Sequence, residues 1–514
     1  MFQHEPWFRK NVKATTAVCL IAALLTACGG DKIDGGTAAK ADKAGAKEKP
    51  TEISILTEFN TTEAPSADNP VLKEFEKRTN TKLSITWVSP NNYGEKQNTV
   101  LASGEIPDLM KVSDLINPLM RQMVDHGAFW DLTPYLKEYP HLMEYPKEVW
   151  EKTRINGKNF IIPSVRPLEG GNSLPSIRKD WLDKLNLKMP ETLDELYGAL
   201  KAFTLNDPDG DGKPNTLGYT MNEYNFVQNV LNGSNGKWKV QDGKLINTEL
   251  EPGTHDALIW LNRLYKEKLI PEDFAAMKGS QTEDMAKAGK AGLHTDTVEG
   301  IWRSTAELVK TNPKADFLPF TSLKGPFGNV AFQTSGYSGL FLIPKKVPED
   351  KVKKILALMD YGASEEGFLL ACYGFEGVHY TVQDGFKVTT EQATKDSVAQ
   401  SSFGKIFERY DKYLWAYRTG MPKDVLERNK KIVDERLKIS IADPSIGLVS
   451  ETNQKLGADY TKKIIDLKVK VIMGKEPIEA WDNFVKQLKS DANYMKIIEE
   501  YNKAYQERAK ASSK

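Results

Sequence analysis

Cysteine is scarce in this 514-residue chain: Cys19, Cys28 and Cys372 are all there is. A chain with so few thiols is no disulfide scaffold and does not draw its stability from oxidation. An excess of charge of either sign is also missing. Seventy basic residues offset seventy acidic ones. No basic stripe of the kind that grips a phosphate backbone is present, so nucleic acid is excluded as a partner. The same balance argues against a strongly charged bulk substrate. Motifs of hydrolytic and nucleotide-driven enzymes are lacking: there is no HExxH, no G-x-S-x-G and no G-x-x-x-x-G-K-[ST]. His126, His141, His255, His294 and His379 stand in unrelated contexts. No repeat with a period of about 20–50 residues is visible.

What is present starts at the N-terminus. Arg9, Lys10 and Lys13 precede an apolar run from Ala14 to Leu25. That run is too short for a membrane span, which needs about 20 apolar residues. It reads as a signal peptide over residues 1–27. The ending Leu25-Thr26-Ala27-Cys28-Gly29-Gly30 has the form of a bacterial lipobox, in which the cysteine becomes the first mature residue and is acylated, palmitate-fashion. Cys28 is therefore the expected lipidation site. The mature chain would carry 67 basic and 69 acidic residues, and only Cys28 and Cys372 would remain. Cys372 sits among Phe368, Leu369, Leu370 and Ala371 and reads as a buried, unreactive thiol. Residues 28–51 are mostly Gly, Ala, Lys and Asp, which bury too little surface to offset their ordering entropy. They read as a flexible tether.

The folded body starts at Glu52. Ile53, Ile55 and Leu56 predict a strand, and Leu72, Phe75 and Thr79 behind Pro70 predict a helix. Leu83, Ile85 and Trp87 alternate as in a strand. A helix from Glu95 to about Ser103 and a short buried strand, Leu109 to Val112, complete a β-α-β-α-β rhythm. That rhythm implies a largely parallel sheet. A second α/β region begins near Leu174. Thr192 and Glu195 spell a capping box for a helix from Leu193 to Phe203. Asp256 to Leu269 predicts another helix. Gly339 to Pro344 (GLFLIP) predicts a returning buried strand. The tail from Ala458 to Lys510 reads as helical, broken at Gly474 to Pro477.

Five segments, in order, carry a resemblance. They are Ala102–Asp108 (ASGEIPD), Gly127–Tyr135 (GAFWDLTPY), Ile177–Leu185 (IRKDWLDKL), Pro190–Leu196 (PETLDEL) and Ile472–Ile478 (IMGKEPI) leading to Trp481. Behind the lipobox, these are similar to the large carbohydrate-binding lipoproteins of Gram-positive ABC importers, within the extracellular solute-binding protein family 1. The resemblance implies an α/β fold of two lobes, periplasmic-binding-protein-like. Each lobe is a mostly parallel sheet flanked by helices, and a hinge joins the discontinuous lobes. It places lobe 1 in 52–165 and about 336–385, and lobe 2 in 174–335 and about 400–514. Hinge crossings fall near 163–176, 334–340 and 380–400. The implied partners are an oligosaccharide, the ABC permease subunits and, through the anchor, the outer face of the cell membrane. The implied state is a monomer.

Residues 207–216 carry the densest local chemistry. Asp207, Asp209 and Asp211 stand at positions 1, 3 and 5 of an EF-hand-like loop, with Gly212 at the sharp turn. The Lys213 carbonyl and Asn215 would serve at positions 7 and 9. Calcium, a hard cation taking oxygen ligands, is the expected structural ion. Gly218 stands where a helical EF-hand has Glu, and Asn215 and Thr216 stand where the resembling lipoproteins carry acids. The competing reading is a solvated Asx turn.

Sugars present apolar C–H faces and hydroxyl edges, which call for rings to stack on and planar polar groups. The candidate contacts are Trp302, Trp415, Arg418, Arg166, Tyr337, Glu169, Asn222 and Tyr224, with Asn172 beside them in the Gly-rich crossing. Each also has a plain reading as core or salt bridge. Trp87, Trp130, Trp181, Trp260 and Trp481 sit in periodic apolar surroundings and read as core. A peptide- or other solute-binding lipoprotein on the same scaffold is the alternative. A secreted glycan-active enzyme would need paired carboxylates across a cleft, for which no motif speaks.

Overall fold

The alternation read at the start of the body becomes a five-stranded sheet in the computed structural model, which describes residues 49–512 apart from 172, 384 and 419. The signal segment, Cys28, most of the tether and Asn172 lie outside the described residues. The strands stand in the order Thr81–Val88, Thr51–Glu58, Leu109–Val112, Tyr337–Leu342, Ile161–Val165. The first two pair in parallel from Thr51↔Thr81 to Glu58↔Val88. The strand Leu109–Val112 also runs parallel. The returning strand Tyr337–Leu342 is antiparallel to both its neighbours, so Ile161–Val165 points the same way as the rest. Four of the five strands thus share a direction. Residues alternate between the two faces. Ile53, Ile55, Leu109 and Phe341 enter one core, while Leu56, Met110, Leu340 and Leu342 enter the other. The helix Pro70–Thr79 covers the sheet, capped by Asn69, whose side chain accepts from the Val71 and Leu72 amides.

A second sheet has the order Phe317–Pro319, Ser176–Arg178, Ala291–His294, Leu217–Tyr219. Here Ser176–Arg178 is the strand that runs against the others. In both sheets the reversed strand is the one that has just arrived across the hinge. A strand entering from the other lobe starts at the shared edge and must run away from it. The helix Leu193–Leu205 carries the capping box as spelled by Thr192 and Glu195. Behind this sheet lies one large core holding Trp181, Trp260 and Trp481. Trp87 and Trp130 are half-buried against the first core. The tail forms three helices, Glu451–Ile472, Ile478–Ser490 and Ala492–Ser512. It breaks where Gly474 and Pro477 stand and again at Asp491. Cys372 is buried, and burial raises its thiol pKa well above the ordinary range.

The third hinge crossing departs from its expected place at 380–400. Ala393, Val398, Phe403, Ile406 and Phe407 all belong to the first core. Phe407 stacks on Phe75 at 4.1 Å. The chain therefore leaves the first lobe after Glu408. The segment 386–400 is polar enough to read as a linker, but the apolar residues that follow it are held by the first lobe's helices. The first two crossings run side by side: Arg166 N–H donates to Gly336 O at 2.8 Å, and Thr334 N–H donates to Leu168 O at 2.9 Å. Gly336 has φ +84°, and a Cβ there would lie 2.6 Å from a Val149 methyl. The hinge strands can touch only because that position lacks a side chain.

Candidate functional site

In open α/β sheets, ligands bind outside the carboxyl ends of the strands. All but one strand in each sheet point those ends at the seam between the lobes. After Val112 the chain turns through Asp114–Pro118, and the Asp114 carboxylate accepts from the Ile116 amide at 2.9 Å. Facing this turn is the second-lobe segment 443–450. Gly447 comes so close to the first lobe that a Cβ there would lie 2.4 Å from the Lys152 carbonyl. Between them opens a cavity of about 930 Å³, lined by Asp114 and Ile116 from one lobe and by Trp238, Asp443, Tyr494 and Tyr501 from the other. A second cavity of about 410 Å³ adjoins it and shares Gly236, Lys237, Ile464 and Ile465. Together they form one groove. Both volumes fall in the range of small-molecule sites.

The groove is built on secondary structure. Trp238 opens the hairpin Trp238–Gln241/Lys244–Asn247 and lies 4.8 Å from the Tyr501 ring of the last helix. Tyr460 meets Tyr494 edge-on at 5.0 Å. On the floor, Lys468 pairs with Glu249 and donates to Gln228, both at 2.6 Å. Asp443 accepts from the Ser445 amide and hydroxyl through Oδ1. Burial pushes its carboxyl pKa up.

The sequence-predicted contacts separate into three groups. Tyr224 lines the smaller cavity. Tyr337 lines neither cavity; burial pushes its phenol up to about 12, and Asp114 and Asp443 add to the shift. The hinge group comes next. Arg166 pairs with buried Glu408 at 2.6 Å, and Ser164 donates to the same carboxylate at 2.7 Å. Glu169 is only 2% exposed. Burial pushes its carboxyl up to about 7, opposed by Ser440, Arg436 and Lys152. Trp415 lies over the crossing, its Cβ 3.1 Å from where a Cβ on Gly170 would stand. These three residues stand at the crossings, and none of them lines the groove. The last group lies away from the groove. Arg418 pairs with Glu299 at 2.8 Å, and Trp302 lines a separate cavity with it. Asn222 is consumed by the Thr295 backbone, donating to its carbonyl at 2.7 Å and accepting from its amide at 3.2 Å.

Trp238, Tyr460, Tyr494, Tyr501, Asp114 and Asp443 were not among the sequence candidates. Trp238 stands in an alternating stretch and the tyrosines in helical stripes, so each reads as structural until the fold brings them together.

Behind the first sheet's carboxyl ends lies a buried charge cluster. Lys111 is 1% exposed and lies 3.6 Å from Glu58, which also pairs with Lys405 at 3.2 Å. Burial lowers the Lys111 ammonium to about 8.

The loop 207–216 brings Asp207, Asp209 and Asp211 together, with one carboxylate oxygen from each within 4.8 Å of the others. Backbone amides of Gly210 and Gly212 donate to Asp207. The Asn215 amide donates to Asp211 at 2.8 Å and is the main cause that holds the Asp211 carboxyl below its usual range. The Lys213 carbonyl accepts from the Asn215 backbone N–H at 2.9 Å. Lys290 stands 3.4 Å from Asp209. Three converging carboxylates form an all-oxygen donor set of the kind a hard cation takes.

Among the described residues, no helix is long and apolar enough to cross a membrane. A model of the family described as bacterial extracellular solute-binding protein matches residues 59–367. Lipoprotein LipO of Bacillus subtilis (strain 168) is 32% identical over 472 residues, covering 88% of this chain and 92% of that protein. The polygalacturonan/rhamnogalacturonan-binding protein YtcQ of the same organism is 30% identical over 445 residues, 85% of this chain and 88% of that one. In fold, the chain is similar to an HMO-binding, ABC-transporter-associated solute-binding protein from Bifidobacterium longum infantis ATCC 15697. That match has a TM-score of 0.70 at 19% identity and covers 90% of this chain and 99% of the other.

Proposed function

The chain belongs to the bacterial extracellular solute-binding protein family, and from that premise we propose that it captures an oligosaccharide between its two lobes and hands it, chemically unaltered, to the permease of an ABC importer. The observation that carries this reading is the groove, which takes its lining from both lobes. A ligand touching both walls favours the arrangement in which they are close, because its contacts differ between the open and closed states. Tyr224 and Trp238 supply apolar faces, and Asp114 and Asp443 supply acceptors for hydroxyls. Arg166, Glu169 and Trp415 stand at the hinge and bear on its stability rather than on the ligand. The protein works as a monomer on the outer face of the cell membrane, held there by an acylated Cys28.

Calorimetry against oligosaccharides, run beside solution scattering, tests the reading. Binding of a glycan with a fall in the radius of gyration is the expected result. Binding of a peptide to the exclusion of every glycan, or recovery of a cleaved glycan, overturns it.

Calcium completes the reading as a structural ion in the loop 207–216, held by Asp207, Asp209, Asp211 and oxygens of Lys213 and Asn215. An ion that binds only the folded state adds about 2.7 kcal/mol at a hundredfold excess over its Kd. Chelation should therefore lower the melting temperature of the wild type and leave Asp209→Ala unchanged. An equal response in both proteins removes calcium from the account.

A further inference from the structure

The charges of the groove narrow the class of sugar it accepts. The cations on its walls are Lys237, Lys462 and Lys468, with no arginine among the lining residues. Two of the three are paired with carboxylates, and Lys237 has a hydroxyl partner only. Lys468 is held by Glu249 and Gln228, Lys462 pairs with Asp466 at 2.6 Å, and Lys237 donates to the Thr461 hydroxyl at 3.0 Å. The carboxylates are differently placed. Asp114 and Asp443 approach the larger cavity from opposite lobes, and each spends one oxygen on its own turn. Asp114 is exposed. The second oxygen of Asp443 lies 3.5 Å from where a Cβ on Gly236 would stand, at the rim shared with the smaller cavity. Of the other cations nearby, Lys111, Lys405 and Arg166 lie behind the strand ends and answer Glu58 and Glu408, while Lys152 and Arg508 stand near Asp443 without lining the groove.

From this we infer that the groove takes an uncharged oligosaccharide, whose hydroxyls donate to the free oxygens of Asp114 and Asp443 while its C–H faces lie along Trp238 and the neighbouring tyrosines. The inference rests on the groove being the sugar site, as proposed above. A uronic acid needs an ammonium or a guanidinium fork that is free to receive its carboxylate. Here Lys237 is the one wall cation without a carboxylate partner, and it is outnumbered by the carboxylates of Asp114, Asp443 and Glu223. A neutral sugar finds the reverse. Its hydroxyls are donors, and a carboxylate oxygen is the stronger kind of acceptor for them. The relative YtcQ is named for polygalacturonan and rhamnogalacturonan. On this inference, the present chain parts from it in substrate charge while sharing its scaffold.

The test uses the mature protein and titrates neutral galacto-, xylo- and fructo-oligosaccharides of about three to five residues, with trigalacturonate and its methyl ester beside them. Expected is binding of a neutral oligomer whose affinity hardly changes between about 0.02 and 0.2 M salt. Asp114→Asn and Asp443→Asn should each weaken it tenfold or more, with melting temperatures close to wild type. Trigalacturonate bound more tightly than every neutral oligomer overturns the inference and leaves the sugar-binding reading standing. So does a neutral ligand whose affinity stays within twofold in both variants. If no glycan of either kind binds, both readings fall together.

Discussion

Trp302, Tyr417, Arg418 and Phe386 form one patch of rings and charge where the lobes meet; Trp238, Tyr494, Tyr501, Asp114 and Asp443 form another. In composition they are much alike. They differ in what has been used up. In the first patch Phe386 stacks flat on Tyr417 at 4.8 Å, and Arg418 is closed on Glu299. Arg303 beside it is shared between Asp296 at 2.7 Å and Glu283 at 3.2 Å. In the second patch rings also meet, Trp238 on Tyr501 at 4.8 Å, but the cavity they border, about 930 Å³ against about 590 Å³ beside Trp302, takes carboxylate oxygens from both lobes. Aromatic and charged residues at a seam are thus no guide to a site until their partners are counted. A charge closed on a charge makes a joint. Carboxylates left open across a cavity that both lobes line make a recognition surface.

The largest effect that would break this contrast comes from truncating the central ring of each patch. Trp238→Ala removes a side chain that is 6% exposed and should cost about 3–5 kcal/mol in folding. It should also weaken oligosaccharide binding at least tenfold, read by calorimetry below the melting transition. Trp302 is half-buried, so Trp302→Ala should cost less and leave the affinity within about twofold. If Trp302→Ala were the variant that lost binding, the two patches would have to exchange roles.

Next in size is the hinge on which both patches turn. Arg166→Ala would leave Glu408, 3% exposed at its side chain, without its ion-pair partner, with the Ser164 hydroxyl and the charge of Lys111 still acting on it. Breaking a buried pair from one side costs about 3–5 kcal/mol. Chemical denaturation should show that loss whether or not a ligand is present. An unchanged midpoint would mean that the pair contributes nothing and that the crossings are held by their backbone hydrogen bonds alone.

Much of this architecture was legible before any coordinates. The capping box at Thr192, the alternation of Leu83, Ile85 and Trp87, and the returning strand in GLFLIP are local patterns, and local patterns survive folding. The three aspartates of the loop 207–216 are also local, which is why their convergence could be foreseen. The groove was not legible for the opposite reason. Asp114 and Tyr501 are separated by most of the chain, and each stands in a segment that reads as ordinary surface or helix. Trp302 and Arg418 misled because a sequence shows residue types and hides their partners: nothing in LWAYRTG says that Glu299 waits for the arginine. The third crossing was misplaced on similar grounds. Its polar run was visible, whereas the hold of Phe75 on Phe407 was not.

Glu169 gives a smaller effect that separates the hinge from the groove by pH. A carboxyl raised to about 7 in the folded state keeps its proton after the unfolded chain has lost its own near 4.5. Stability from this residue is therefore intact at low pH, falls as pH climbs from about 4.5 to 7, and stays lowered above that. The difference amounts to about 3 kcal/mol. Glu169→Gln should melt a few degrees above wild type at pH 8 and level with it near pH 4.5, with oligosaccharide affinity little changed. A variant less stable at pH 8 would show that the charged form is the one the hinge holds.

The smallest expected effect bears most directly on the contrast. Arg418 and Glu299 meet at 2.8 Å with side chains 39% and 17% exposed. Ion pairs open to water in this way contribute about 0–1 kcal/mol, because solvent screens them and two side chains must be held in place. Arg418→Ala should therefore move the melting temperature by a degree or two and leave oligosaccharide affinity within about twofold. The reason is positional as well as energetic: the guanidinium is committed to Glu299 and borders a cavity other than the groove. Suppose instead that Arg418→Ala cost tenfold in affinity while Glu299→Gln did not. The arginine would then be leaving its partner to meet the ligand, and counting partners in one state would be a poor guide to which patch does the binding.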